Sequence, residues 1–179
     1  MKYSLTIIFL IICHYTFAQT FSFEELFALK YTDSDEAINI LEDKGFEISD
    51  MIDDHMYFIC SDCEEGKQEA IQIVFEIEKE NGPNILKAMF IEYAIQDKTT
   101  FKNIREAFKD NDHVKNLEKV SATIEPKSEE FDSAVEKSTY RCEINDKKEY
   151  FSFARFIPAY SIYKKANIDT EFGYSITIQ

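Results

Sequence analysis

The stretch that decides the fold runs from Glu69 to Glu78 and reads Glu-Ala-Ile-Gln-Ile-Val-Phe-Glu-Ile-Glu. Apolar and polar residues alternate along it, with Val74 as the exception. The apolar positions are Ile71, Ile73, Phe75 and Ile77, and the polar positions are Gln72, Glu76 and Glu78. A period of two is typical of a half-buried strand, and β-branched and aromatic side chains suit its pleated surface.

The next apolar run, from Leu86 to Ile95, predicts the partner of that strand. It follows Asn81-Gly82-Pro83-Asn84, which is a turn signal. Two runs separated in this way predict an antiparallel hairpin. We therefore place this hairpin at the centre of an antiparallel sheet.

Three segments carry helix signals. Ser22 to Glu25 is a capping box, and Asp33 to Glu36 opens a second helix in the same manner. Thr99 or Thr100 is the expected cap of a third helix, whose apolar side chains recur at helical spacing. That apolar face consists of Phe101, Ile104 and Phe108. The predicted fold class is α+β, an antiparallel sheet with its helices on one face.

Shorter alternating runs predict the remaining strands. The first of them begins with Phe46 and Ile48. The others are Met56–Cys60, Val120–Ile124, Tyr140–Ile144, Lys148–Phe156 and Phe172–Ile178. The segment Asp50–His55 reads as a polar connection and Ser61–Lys67 as a polar turn. The charged segment Lys127–Lys137 reads as a loop or as a short helix that uses Phe131, Ala134 and Val135. The segment Pro158–Asn167 reads as irregular.

The first eighteen residues have the pattern of a secretory signal peptide. Lys2 supplies a positive charge, Leu5–Cys13 is apolar, and Ala18 precedes the expected cleavage before Gln19. We expect an exported protein, periplasmic or secreted, with no stable membrane insertion after cleavage. Residues 19–179 then form a single α+β domain. The ending Phe-Ala-Gln resembles that of signal peptides in Bacteroidota.

The charge of the chain limits its partners. The formal net charge is −14, and removal of residues 1–18 takes away Lys2 and no acid, which makes it −15. Nucleic-acid binding depends on cationic side chains that displace counterions, so no nucleic-acid partner is expected. Another protein is compatible with this charge. No cofactor motif is present, and none is expected.

The chain divides into halves with a similar order of elements, about 19–96 and 97–179. Each half has a helix followed by strands, and one strand of each carries Tyr and Cys, namely Tyr57 with Cys60 and Tyr140 with Cys142. We expect two degenerate helix-plus-sheet repeats. This order resembles β-lactamase inhibitor proteins and small exported α+β proteins of Bacteroidota. The resemblance implies an architecture and assigns no functional residue.

Cysteines give the sharpest motif, Cys60-Ser61-Asp62-Cys63, with Cys142 as the third cysteine of the mature chain. Exported proteins meet oxidising conditions, so we expect one structural disulfide and one free thiol. Cys60 or Cys63 bonded to Cys142 would tie the halves together. A redox pair and a metal site are the alternatives. A redox pair would require a helix after Cys60, and no helix pattern follows it. A strong zinc site would show a second close pair of ligands, which the sequence lacks.

Acidic clusters provide the remaining metal candidates. Asp110 and Asp112 flank Asn111 next to His113, and oxygen ligands at close spacing suit a hard cation such as calcium. The same residue types are common in solvated turns, which is the simpler interpretation.

Aromatic residues are abundant toward the C-terminus. Candidates for a partner contact are Phe151, Phe153, Tyr160 and Tyr163, although such residues more often belong to the core. The chain has no Gly-x-Ser-x-Gly, glycine-rich phosphate loop or His-Glu-x-x-His motif. We therefore expect a non-enzymatic binding module. The alternatives are an exported hydrolase and a thiol–disulfide protein that uses Cys60 and Cys63.

Overall fold

The computed structural model describes residues 20–64, 67–78, 85–127, 133–160, 162–163, 166–168 and 170–179. It shows an α+β fold with three α-helices and one eight-stranded antiparallel sheet. The helices are α1 (Phe23–Ala28), α2 (Ser34–Asp43) and α3 (Lys98–Asp110), with a 3-10 helix at Leu29–Tyr31. The strands are β1 (Glu47–Ile52), β2 (His55–Glu64), β3 (Lys67–Glu78), β4 (Ile85–Ile95), β5 (Lys115–Glu125), β6 (Ala134–Ile144), β7 (Lys147–Tyr160) and β8 (Phe172–Ile178).

The strands follow the order β1-β2-β3-β4-β8-β7-β6-β5 across the sheet. Each group of four consecutive strands is therefore a meander, and the two meanders meet where β4 pairs with β8. The predicted hairpin is present as β3 and β4, with Ile73 opposite Ile91. Ile71, Ile73 and Phe75 are buried as the alternation predicted. The side chain of Ile77 lies outside the described residues.

One large core lies between the helices and one face of the sheet. All three α-helices contribute to it, through side chains such as Leu26, Leu41 and Phe108. Phe108 packs on Phe151 of β7, with their ring centroids 4.6 Å apart. The core thus joins both halves of the chain. In the described part of the chain, no helix is long and apolar enough to cross a bilayer.

Local capping determines where the helices begin. The Ser22 hydroxyl accepts a hydrogen bond from the Glu25 N–H, and the Glu25 carboxylate accepts one from the Ser22 N–H, as the capping box predicted. The third helix begins earlier than predicted, because its N-cap is Asp97 and not Thr99 or Thr100. Thr100 instead donates its backbone N–H to Asp97 Oδ2 at 2.7 Å.

Two predicted connections near the start of the sheet are wrong. β1 continues to Ile52, which pairs with His55, so Asp53 and Asp54 alone form the turn. Asp53 has a φ of 56°, a value that two-residue hairpins favour. β2 continues to Glu64 instead of ending at Cys60. Polar side chains concealed both extensions, because β1 is an edge strand whose residues are mostly exposed and β2 continues through Ser61 and Asp62.

Two predictions in the second half also need correction. Ala134 and Val135 begin β6 and do not form a helix, because Val135 pairs with both Glu125 and Phe156. Phe131 lies outside the described residues. Pro158, expected in an irregular segment, lies within β7. It fits there because the pairing with β8 shifts register between Arg155 and Tyr160, so no ladder bond requires its missing N–H.

The opposite face of the sheet carries no α-helix among the described residues. A smaller apolar cluster covers part of it and consists of Ala70, Ala94, Tyr163, Ile168 and Phe172. Tyr163 lies in the connection between β7 and β8, and its hydroxyl donates to the main-chain oxygen of Glu92 at 3.0 Å. Tyr163 and Ile168 of this connection therefore cover part of the face that the α-helices leave open.

Candidate anion-binding cleft

A cleft of about 470 Å³ lies between α3 and the arm of the sheet formed by β5 and β6. Its lining residues are Lys98, Phe101, Lys102, Arg105, Ala122, Thr123, Ile124, Glu136, Lys137, Ser138, Phe153, Ala154, Arg155 and Tyr174. We refer to it as the α3 cleft. A second cleft of about 480 Å³ differs from it in the number of cations along its wall, because Lys67 is the one cation among its lining residues.

The amphipathic pattern of α3 places cations along the cleft. Its apolar residues Phe101, Ile104 and Phe108 are buried against the sheet. Lys98, Lys102 and Arg105 follow at i, i+4 and i+7, which is one face of a helix. Burial of the apolar stripe therefore orients these three residues toward one wall of the α3 cleft.

These cations have few counter-charges. Within the described part of the chain, neither Lys98 nor Lys102 forms an ion pair, while Arg155 pairs with Glu136 at 3.6 Å on the rim. Glu136 is the single acid among the fourteen lining residues. The chain has a net charge of −14, so a group of cations without acidic partners makes the local charge positive where the rest of the surface is negative. Such a surface attracts anions.

Arg105 occupies the inner end of the cationic row. Its Nη2 donates to the hydroxyl of Tyr140 at 3.5 Å, and its Nε is buried and has no hydrogen-bond partner among the described residues. Burial alone would raise the pKa of Tyr140. The hydrogen bond from Arg105 and the charges of Lys109, Arg105 and Lys119 outweigh burial and lower that pKa. The region around Arg105 is therefore electropositive and retains an unused donor.

The floor of the cleft is apolar and aromatic. Phe101 stacks on Tyr174 with ring centroids 4.7 Å apart, and Phe101 meets Phe153 edge to face at 6.1 Å. On the β5 side, Ile124 is 76% exposed, the most exposed large hydrophobic residue described. The cleft therefore offers apolar contact beside its positive charge.

This arrangement can bind an anion. The fourteen lining residues include five cations, Lys98, Lys102, Arg105, Lys137 and Arg155, and one acid, Glu136. A ligand with both negative charge and an apolar part would satisfy the cations and cover Ile124.

The cysteines lie elsewhere. Cys60 and Cys63 form a disulfide with an S–S distance of 2.05 Å, and Cys142 is free and buried. The bridge from either residue to Cys142 that we considered is therefore not formed, because Cys63 follows Cys60 on the same strand while Cys142 lies on β6. Burial and the charge of Glu149 raise the pKa of the Cys142 thiol to about 11, despite the opposing charge of Lys30.

The acidic candidates are exposed. Asp110 ends α3, Asp112 lies in the following turn, and Asn111 between them donates to Glu24 Oε1 at 2.9 Å. In the ranges that the structure describes, no group of three or more His, Cys, Asp or Glu is arranged to hold a metal ion. A cation at Asp110 and Asp112 stays a prediction.

The four aromatic candidates separate into different regions. Phe151 is fully buried in the main core, and Phe153 is 3% exposed but lines the α3 cleft. Tyr163 is buried on the opposite face, and Tyr160 is partly buried at the end of β7. The structure therefore does not join these four into one surface.

The sequence reasoning missed the cations of α3. The signal was present, because Lys98, Lys102, Arg105 and Lys109 recur at one helical face in an otherwise acidic chain. It was overlooked because such a row is ordinary on a solvated helix. Only the position of β5 and β6 makes three of these residues, Lys98, Lys102 and Arg105, the wall of a cleft.

Comparison with protein-family models, with curated proteins and with solved structures finds no significant match to this chain.

Proposed function

We propose that the chain is a non-enzymatic binding module that holds a negatively charged partner in the α3 cleft. One observation carries the proposal: Lys98, Lys102 and Arg105 face an apolar floor without neutralising acids, in a chain of net charge −14. A protein partner with an acidic surface is the ligand class that fits both features. Nucleic acid is not proposed, because the rest of the surface would repel its phosphates.

The proposed place of action is outside the cytoplasm, in the periplasm or the medium. The support is the charged, apolar and small-residue pattern of residues 1–18, and the expected mature chain begins at Gln19 and does not stay inserted in a membrane. Mass spectrometry of the protein from the exported fraction tests this. A mature chain that still contains residues 1–18 would refute it.

We also propose that the two halves are degenerate repeats, with the architecture that resembles β-lactamase inhibitor proteins. The sheet order supports this, because it reads as two four-stranded meanders that meet at their last strands. A recurring pair supports it further: Cys60 lies opposite the buried Glu69, and Cys142 opposite the buried Glu149. Superposition of β1–β4 on β5–β8 tests it and should align both pairs.

Binding is tested with a polyanion, because the charge of the ligand is the best-supported property. Dextran sulfate is titrated into the mature protein at low salt, with uncharged dextran alongside. We expect binding that weakens as salt rises, since surface electrostatics are screened. The double variant Lys98→Glu with Lys102→Glu should lose at least tenfold in affinity.

The matched control changes two lysines outside the cleft. Lys115→Glu with Lys148→Glu makes the same change in net charge, and both residues are exposed. This control should lose less than threefold in affinity. Equal losses in the two variants would show that binding follows net charge alone, and the α3 cleft would then not be the site.

A further inference from the structure

We infer that the ligand of the α3 cleft is an extended acidic peptide in which acidic and apolar residues alternate. The inference rests on the proposed function, since it names the class of anion that the same site takes. Three features carry it: the linear arrangement of the cations, the apolar floor beside them, and the guanidinium group of Arg105 at the inner end of the row.

The cations form a line rather than a cage. Lys98, Lys102 and Arg105 lie within eight residues of α3, which corresponds to about 10 Å of helix axis at roughly 1.5 Å per residue. An extended peptide advances about 3.3 Å per residue, so roughly four residues cover this length. A single compact anion such as phosphate would reach only part of the row.

The spacing along the line also suits alternate residues of a strand. Side chains on one face of an extended chain recur about every 6.6 Å. Lys98 and Lys102 are four residues apart, or roughly 6 Å along the helix axis. Acidic side chains at every second position of the peptide would therefore meet successive cations without a bend in its backbone.

The apolar floor is the reason that we expect apolar residues between the acidic residues of the peptide. When one face of an extended peptide points to α3, the other points away from it, toward the side formed by β5. That side presents Ile124, and the stacked rings of Phe101 and Tyr174 also line the cleft. Apolar side chains gain by leaving water there. A sulfated polysaccharide has no such side chains and would leave Ile124 exposed.

Arg105 adds positive charge at the inner end of the row. Its Nε is buried without a partner in the described residues and its Nη2 contacts Tyr140, while the residue lines the cleft. A ligand carboxylate at this end of the cleft would gain from the charge of the guanidinium group.

The test compares two peptides of equal composition. Dye-labelled, end-capped Glu-Leu-Glu-Leu-Glu and Glu-Glu-Glu-Leu-Leu are titrated into the mature protein by fluorescence anisotropy. The alternating peptide should bind at least tenfold more tightly than the block peptide. Its affinity should fall at least fivefold in Arg105→Gln and at least tenfold in Lys98→Glu with Lys102→Glu, but not in Lys115→Glu with Lys148→Glu.

The other outcomes separate this inference from the proposed function. If both peptides bind equally, or only dextran sulfate binds and the Lys98 and Lys102 variant abolishes that binding, the peptide inference is overturned and the anion site stands. If inorganic phosphate competes fully at millimolar concentration, the site recognises a compact anion and the inference is again overturned. If neither peptide nor dextran sulfate binds, both proposals fail.

Discussion

Glu92 is an acidic residue whose burial lowers the stability of the folded chain when its carboxyl group is charged. It lies on the face of the sheet without α-helices, in register with Gln72 on β3 and Thr177 on β8. Burial raises the pKa of its carboxyl group, and hydrogen bonds from Ser175 and Tyr163 with the charge of Lys137 only partly offset this. The charged form is therefore less stable in the folded chain than in water.

We predict that Glu92→Gln stabilises the protein at neutral pH. The folded-state pKa lies above the ordinary value of 4.5, so the native protein loses stability as the pH rises from about 4.5 through that raised pKa. Glutamine keeps the hydrogen-bonding capacity and removes the charge. The free energy of unfolding at pH 7.5 should rise by about 1 kcal/mol, a common gain for a favourable substitution. Urea unfolding at several pH values measures this.

The control for Glu92 is Glu106→Gln, at an exposed position of α3. It should leave stability within about 0.5 kcal/mol of the parent, as expected for a surface change. At pH 4 the gain from Glu92→Gln should vanish, because the parent is then protonated. A gain that is the same at pH 4 and pH 7.5 would contradict the electrostatic explanation.

We predict that one thiol of the mature chain is free and unreactive. Cys60 and Cys63 are bonded to each other, and the pKa of buried Cys142 is raised to about 11. Iodoacetamide at pH 8 should add no group to the native protein, one in denaturant, and three after reduction in denaturant. Mass spectrometry counts the added groups. Rapid labelling of the native protein would show that Cys142 is accessible.

Among the elements, α3 depends most on one residue for both its start and its position. Asp97 is its N-cap, and Asp97 Oδ1 also accepts a hydrogen bond from Lys67 Nζ at 2.8 Å. Burial raises the pKa of Asp97, but hydrogen bonds from Lys67 and Thr100 outweigh burial and lower it. The carboxylate of Asp97 thus caps the helix that lines the cleft and also binds Lys67 at the start of β3.

We predict that Asp97→Ala lowers the free energy of unfolding by about 1–2 kcal/mol, the cost of a lost cap with its partners. Asp97→Asn is the matched variant, because an amide oxygen can still accept from the Thr100 N–H while the ion pair with Lys67 is weakened. It should cost less than half as much. Thermal and urea unfolding give both values. Equal losses would mean that the charge, and not the cap, determines the effect.

Element boundaries were the least predictable part of the fold, and β5 shows why. The sequence predicted a strand only at Val120–Ile124, but β5 begins at Lys115. It is an edge strand with most residues exposed, so burial imposes no alternation on it. Register shifts fall at Asn116 and Val120, where Asn116 has a φ of 52°. Bulges and lysines of this kind protect an edge from pairing with other chains.

At the scale of the whole molecule, the two halves share one core. Phe23 of α1 packs on Phe151 of β7 with centroids 5.7 Å apart, and Tyr31 donates to the buried carboxylate of Glu149 at 2.7 Å. Lys30 forms an ion pair with the same carboxylate. The first half therefore depends on side chains of the second half for its burial.

We predict that the halves unfold together in a single transition. The buried residues of the two halves form one core cluster, so neither half has a complete core of its own. Far-ultraviolet circular dichroism and tyrosine fluorescence should give urea curves with the same midpoint. A chain of residues 19–96 alone should show no cooperative transition. Two separated midpoints, or a stable half, would contradict this prediction.

The sequence alone determined the class of the fold. Alternation at Ile71, Ile73 and Phe75 and helical spacing at Phe101, Ile104 and Phe108 predicted a sheet with helices, because local periodicity reports which side chains must leave water. Tertiary structure decided the rest. It brought β8 beside β4, paired Cys60 with Cys63, and set β5 and β6 opposite Lys98 and Arg105. A cleft depends on the distance between elements that are remote in the chain, and no local pattern specifies that distance.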